Sequence, residues 1–229
     1  MKKLILPVVL AALLAGAGVY LYLSGKPSTS ASDVAATGVP GAPAAGDAAQ
    51  SGRNPSRVIP TVLPDFALAT PEGPLRKLSS FEHPSLIVNF WATWCAPCRR
   101  EIPLLRQLRT ERGARGVEVV GIAVDFREDV LKYAAKIGLD YPLLIGEEDG
   151  LAAADSFGIN PVFPFTVFAD AERRIVAVKI GELHADEAAF ILDHVQKINA
   201  GTMPVETART LIRDELRRLE AARPAAANG

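Results

Sequence analysis

The chain has 229 residues, 49% of them hydrophobic, and a formal net charge of −1. That is enough apolar side chain for the core of one mid-sized domain plus accessory segments, while so even a balance of charge argues against a nucleic-acid-binding surface. Only two cysteines are present, so there is no second pair to complete a tetrahedral zinc site.

Met1-Lys2-Lys3 is followed by an uncharged, mostly apolar stretch from Leu4 to Leu23. About 20 residues of helix match a bilayer core about 30 Å thick, and lysines ahead of the segment place the amino end in the cytoplasm. Residues 1–23 therefore read as a transmembrane signal-anchor. A cleaved signal peptide is the alternative, since Ala15-Gly16-Ala17 offers a small-residue cleavage site. Against cleavage, the apolar run continues through Val19-Tyr-Leu-Tyr-Leu23. No cysteine follows the segment closely, which excludes a lipoprotein anchor. Residues 24–57 are dominated by Ala, Gly, Pro and Ser and read as a flexible linker with a reach of about 30 Å. In either case the cysteines work outside the cytoplasm, where disulfide chemistry persists.

From Val58 the pattern becomes that of a domain, expected over residues 58–200. Pro64–Leu68 and Leu75–Leu78 suggest two short strands around Gly73, and Ser79-Ser80-Phe81 a helical turn. Leu86–Trp91 reads as a central strand, apolar on both faces apart from Asn89. Arg99–Arg112 has helical periodicity, with Pro103 expected to kink it. Val117–Val124 is a second buried strand, and Glu128–Ile137 a helix closed by Gly138. Tyr141–Ile145 and Gly150–Phe157 make a strand and a helix. Phe165–Phe168 and Arg174–Ile180 form a hairpin, and Ala185–Asn199 a core helix. Residues 201–229 add an amphipathic helix, Pro204 to Leu219, with a stripe of Leu211, Ile212, Leu216 and Leu219, and then a frayed tail. Strands alternating with helices, followed by a hairpin and a helix, argue an α/β fold with a mixed sheet.

Cys95 and Cys98 lie where the central strand hands over to a helix. There the free backbone N–H groups and the helix dipole favour a thiolate. A structural disulfide across so small a loop constrains the unfolded chain little. The three histidines, His83, His184 and His194, show no ligand spacing with the cysteines and read as surface or core residues. The pair therefore reads as a redox-active dithiol.

Val88-Asn-Phe-Trp-Ala-Thr-Trp-Cys95-Ala-Pro-Cys98-Arg-Arg-Glu101-Ile-Pro103 fits the pattern FWATWCxPCxxExP at every defined position. On this stretch, and on Phe157-Gly-Ile159 followed by Pro164-Phe-Thr166-Val-Phe-Ala-Asp170, the region from Leu63 to Asn199 resembles the thioredoxin-like, membrane-anchored thiol:disulfide oxidoreductases of bacteria called TlpA- or ResA-like. The resemblance implies a thioredoxin-like fold with an N-terminal β-hairpin extension, and Cys95 as nucleophile with Cys98 resolving the mixed disulfide. It implies Pro97 shaping the turn, and Trp94, Phe163 and a cis Pro164 meeting the substrate; Pro161, one of the residues between Gly158 and Pro164, is the other candidate for the cis bond. Glu101, three residues after Cys98 and on the same helix face, is expected to be the base for Cys98, because the strand position that carries an aspartate in thioredoxins is Asn89. The alternative is a solvated glutamate that only favours the helix dipole.

No metal and no cofactor beyond the Cys95–Cys98 disulfide is implied. The expected partners are client proteins with disulfides, apocytochromes c being the class the resemblance suggests. A thiol donor in the inner membrane is expected to supply electrons to a domain facing the periplasm. The competing functions are a disulfide-forming oxidant and a non-catalytic redox sensor or holdase; Ala96-Pro97 does not set the direction.

Overall fold

All seven residues of Ser85–Trp91 and all eight of Val117–Val124 are buried. Strands apolar on both faces sit in the middle of a sheet covered on both sides, and these two pair in parallel at the centre. In the computed structural model, which describes residues 58–160 and 162–223, they are β3 and β4 of a seven-stranded sheet. The others are β1 (Ala67–Ala69), β2 (Leu75–Lys77), β5 (Leu143–Gly146), β6 (Phe165–Ala169) and β7 (Ile175–Ile180), in the order β2-β1-β5-β4-β3-β6-β7. β3, β4 and β5 are parallel, while the β1–β2 hairpin and the β6–β7 hairpin are antiparallel to their neighbours. The fold is the thioredoxin-like α/β fold with its hairpin extension. The anchor and linker expected over residues 1–57, Pro161 and the tail after Arg223 lie outside the described residues.

Among the described residues five α-helices flank the sheet: α1 (Ala96–Arg112), α2 (Arg127–Ile137), α3 (Glu148–Asp155), α4 (Ala185–Asn199) and α5 (Val205–Ala222). The alternation of β3 divides the core. Ile87 and Trp91 face a cluster with Cys98, Ile102 and Leu105 of α1, Ile191 and Val195 of α4, and Ile212 of α5. Leu86, Val88 and Phe90 face the other way, toward Phe157, Ile159, Leu78 and Phe81. Gly121 of β4 is needed on the first face, because a Cβ there would stand 2.8 Å from Tyr141 Cε2.

The α1 helix is continuous through Pro103, from Ala96 to Arg112. The last helix departs from expectation in its stripe and in its length. On α5 the buried residues are Ala208 and Ile212, with Leu216 packed against the core, while Leu211 is 43% exposed. The inward stripe follows the i, i+4 ridge 208–212–216, so Leu211 does not belong to it. The helix also reaches Ala222, beyond the expected end at Leu219.

Candidate active site

After Trp91 the chain turns through Ala92, Thr93 and Trp94 into α1, with Cys95 as the helix N-cap at φ −81° and ψ 107°. Cys95 and Cys98 are joined by a disulfide, and the Cys98 N–H donates to Cys95 Sγ at 3.2 Å. The first N–H groups of a helix have no carbonyl partner within it, so in the dithiol form they and the helix dipole stabilise negative charge on Cys95. Pro97 sits in that first turn, where its missing N–H leaves no helical bond unmade. Cys95 is 4% exposed and Cys98 is fully enclosed, so Cys95 is the outer sulfur by a narrow margin.

Trp94, in contrast, is 68% exposed. Its ring meets the edge of Phe163 at 6.3 Å, and Phe163 stacks on Phe165 at 6.4 Å. The Phe163–Pro164 peptide bond is cis, and the Pro164 carbonyl accepts from Gly181 N–H at 2.8 Å. Trp94 and Phe163, far apart in sequence, thus form one aromatic surface at the entrance to the helix.

Glu101 is 1% exposed, which removes the reading of a solvated glutamate. One turn past Cys98 on α1, its side chain enters the space between the helix and the sheet. Oε1 accepts from Asn89 Nδ2 at 2.7 Å, and Oε2 accepts from the Leu183 N–H at 2.8 Å. Asn89 Nδ2 also donates to Thr166 Oγ1 at 3.0 Å, while Asn89 Oδ1 has no partner. Burial pushes the carboxyl from 4.5 up to about 7, and Glu182 adds to the rise. The Leu183 N–H, the Asn89 amide and Lys179 act in the opposite direction. A carboxyl titrating near neutrality can take and return a proton at working pH. Asn89 suits both states, since an amide that turns over offers either a donor or an acceptor.

Asp125 also shapes the site. It follows β4, whose parallel register with β3 brings it beside the segment leading to Cys95. Its Oδ2 accepts from Thr93 N–H at 2.8 Å and from the Thr93 hydroxyl, and its Oδ1 accepts from Phe126 N–H. Charge-assisted bonds of this kind contribute about 1.5–3 kcal/mol each. Asp125→Ala is expected to destabilise the domain by about 2–3 kcal/mol and to slow reaction of Cys95, by loosening the segment that precedes it. Denaturant unfolding together with the rate of reaction with a small disulfide checks both; an unchanged rate in a folded variant makes Asp125 a purely structural clamp.

Neither Asp125 nor Thr166 was singled out from the sequence. The available signal was a carboxylate placed directly after the buried strand Val117–Val124. The histidines make structural contacts: His194 Nδ1 bonds the Phe190 carbonyl at 2.8 Å, His184 caps α4, and His83 lies 3.6 Å from Glu118. Among the described residues no group of three or more His, Cys, Asp and Glu side chains converges as metal ligands do.

Residues 59–200 match the AhpC/TSA family. Over 141 residues, 61% of this chain and 78% of the relative, the chain is 29% identical to the thiol-disulfide oxidoreductase ResA of Geobacillus thermodenitrificans (strain NG80-2). A crystal structure from Chlorobium tepidum, described as the thiol:disulfide interchange protein DsbE, is similar with TM-score 0.54 and 26% identity, over 64% of this chain and 99% of that one. A secreted thiol-disulfide isomerase from Corynebacterium glutamicum is 32% identical with TM-score 0.51, over 55% of this chain and 80% of that one. With its thioredoxin-like fold and its dithiol capping α1, the chain is a thiol:disulfide oxidoreductase and belongs to the AhpC/TSA family.

Proposed function

We propose that the protein is an extracytoplasmic reductase of disulfides in client proteins. Residues 1–23 anchor it in the bacterial inner membrane, residues 24–57 tether it, and a membrane thiol donor keeps Cys95 and Cys98 reduced. Apocytochromes c are the client class that fits the resemblance to ResA-like proteins.

What supports this direction is how little, beyond the start of the helix itself, holds a thiolate at Cys95. Among the described residues its sulfur has one hydrogen-bond donor, the Cys98 N–H. The Arg100 guanidinium, five residues past Cys95 along α1, is taken up by Glu182, with Nε to Oε2 at 2.9 Å and Nη2 to Oε2 at 2.5 Å. Strong oxidants of this fold are oxidants because their reduced form is strongly stabilised. A weakly held thiolate makes the dithiol the better electron donor.

In the reaction, the Cys95 thiolate attacks one sulfur of a client disulfide. The client's other sulfur leaves as a thiolate and takes a proton. Glu101 then accepts the proton of the Cys98 thiol, and the Cys98 sulfur attacks Cys95 Sγ. The Cys95–Cys98 disulfide forms, the second client sulfur leaves as thiolate and is protonated, and two electrons have passed to the client. Trp94 and Phe163 supply the apolar surface against which the client segment rests.

Equilibrating the full chain against a thiol buffer tests the direction. A reduction potential near or below about −250 mV, close to thioredoxin, is expected. A value near about −120 mV would make the protein an oxidant and overturn the reductase reading.

A further inference from the structure

β7 reads Ile175-Val-Ala-Val-Lys-Ile180, and Lys179 is its one polar residue. The register puts Lys179 directly opposite Thr166 of β6, and Thr166 directly opposite Asn89 of β3. Residues directly opposite in neighbouring strands project to the same face. Asn89 binds Thr166 and Glu101 there, so Asn89, Thr166 and Lys179 form one polar row running from beneath α1 to the edge of the sheet.

Lys179 does not end that row in open solvent. Its side chain is 12% exposed, and its Nζ lies 3.0 Å from Oε1 of Glu187, whose side chain is fully enclosed. Glu187 Oε1 also meets Arg223 Nη1 at 2.6 Å, and Glu187 Oε2 accepts from the His184 N–H at 3.0 Å. Arg223, just past the end of α5, makes a second pair with Asp186. The end of the C-terminal helix and the start of α4 are thereby joined to the strand that feeds the Leu183 loop, and the Leu183 N–H holds Glu101. A buried ion cluster is a poor source of net stability, since desolvation offsets most of the attraction. A role in the chemistry accounts for it better.

We propose that Lys179, held in place by Glu187, is a positioning residue of the resolving step and acts on Cys98 through Glu101. This rests on Glu101 being the base for Cys98. The groups facing Glu101 are few. Asn89 and Thr166 are neutral. Tyr141, whose hydroxyl burial pushes far above its ordinary value, is neutral too. Glu182 adds a negative charge, itself paired with Arg100. Lys179 is the cation that draws the Glu101 carboxyl toward its ionised form, and Glu187 partly cancels it.

The sign of this arrangement can be tested from both ends. In the full chain, with glutamate side-chain carboxyls labelled with 13C and Glu101 assigned by its loss in Glu101→Gln, the Glu101 titration is followed by NMR. Lys179→Met removes the cation and is expected to move the titration up by about one pH unit. Glu187→Gln leaves Lys179 uncancelled and is expected to move it down, while Lys179→Arg keeps it near the wild-type position. At pH 7 the Lys179→Met change corresponds to resolution of a preformed Cys95 mixed disulfide about fivefold slower, recovering at higher pH. A merely structural cluster behaves differently: loosening it admits water to Glu101 and moves both variants down together. Movement in the same direction, or no movement, overturns the proposal.

The titration needs neither client nor electron donor, so its failure leaves the reductase reading in place. If the titrations move as expected and the resolution rates do not follow, it is the base role of Glu101 that falls, and with it the link from Lys179 to catalysis.

Discussion

Glu101→Gln is expected to stabilise the domain above pH 7 by about 3 kcal/mol while slowing the resolving step by about 10- to 100-fold. The stability effect follows from the direction of the shift. In the folded protein the carboxyl titrates at about 7, against an ordinary 4.5. Below the ordinary value both folded and unfolded states are protonated and the carboxyl costs nothing. As pH rises from there to 7 the unfolded chain ionises first, so stability is lost; above 7 the loss is complete. The glutamine has no such slope. Its Oε1 can take the Leu183 N–H in place of Oε2, and its amide can donate to Asn89 Oδ1, the acceptor that has no partner. Denaturant unfolding of both proteins at a series of pH values is the check. Curves that run parallel across pH 4 to 8 would show that Glu101 is not the buried carboxyl described here.

The second large effect is expected at Cys98. In the proposed mechanism Cys98→Ser retains the Cys95 nucleophile and removes the sulfur that would release the client. Multiple turnover is expected to fall by at least about 10³-fold, and a one-to-one covalent adduct through Cys95 is expected to accumulate. Mass spectrometry under non-reducing conditions reads the adduct, and Cys95→Ser should abolish it. An adduct formed equally well by Cys95→Ser would reverse the roles of the two cysteines. The burial of Cys98, fully enclosed beneath the helix start, is what makes it the internal partner.

Much of this was legible along the chain. The central strand, the helix after it, the second strand and the closing hairpin follow from apolar runs and periods that neighbouring residues set for one another. The observed bounds of α2, Arg127–Ile137, differ from the expected helix by one residue, and Gly138 closes it at φ 61° as its position suggested. The turn between β6 and β7 has no glycine at its left-handed position. Arg173 takes φ 63° there instead, because the buried Asp170 side chain accepts from the N–H groups of Glu172 and Arg174 and holds the turn. Where reading the sequence failed, on the α5 stripe, Leu211 stands about 100° around the helix from Ile212 and about 60° from Ala208, so either side of Ile212 could have been the inward one. Only the surface that α5 packs against could choose between them.

Readable along the chain alone was the candidate redox centre: two lone cysteines at a strand-to-helix junction, with proline in the first turn and a glutamate one turn on. These are local relations, and a few adjacent residues suffice to produce them. What Glu101 is, as opposed to where it lies on the helix, was decided by tertiary structure alone. Its position near neutrality comes from burial between helix and sheet, with Glu182 adding to the rise and the hydrogen bonds from Leu183 and Asn89, together with Lys179, opposing it. Leu183 lies 82 residues away along the chain. Spacing along one helix carries no record of which distant strand or loop covers it, and desolvation, the largest cause of the shift, exists only once they have come together.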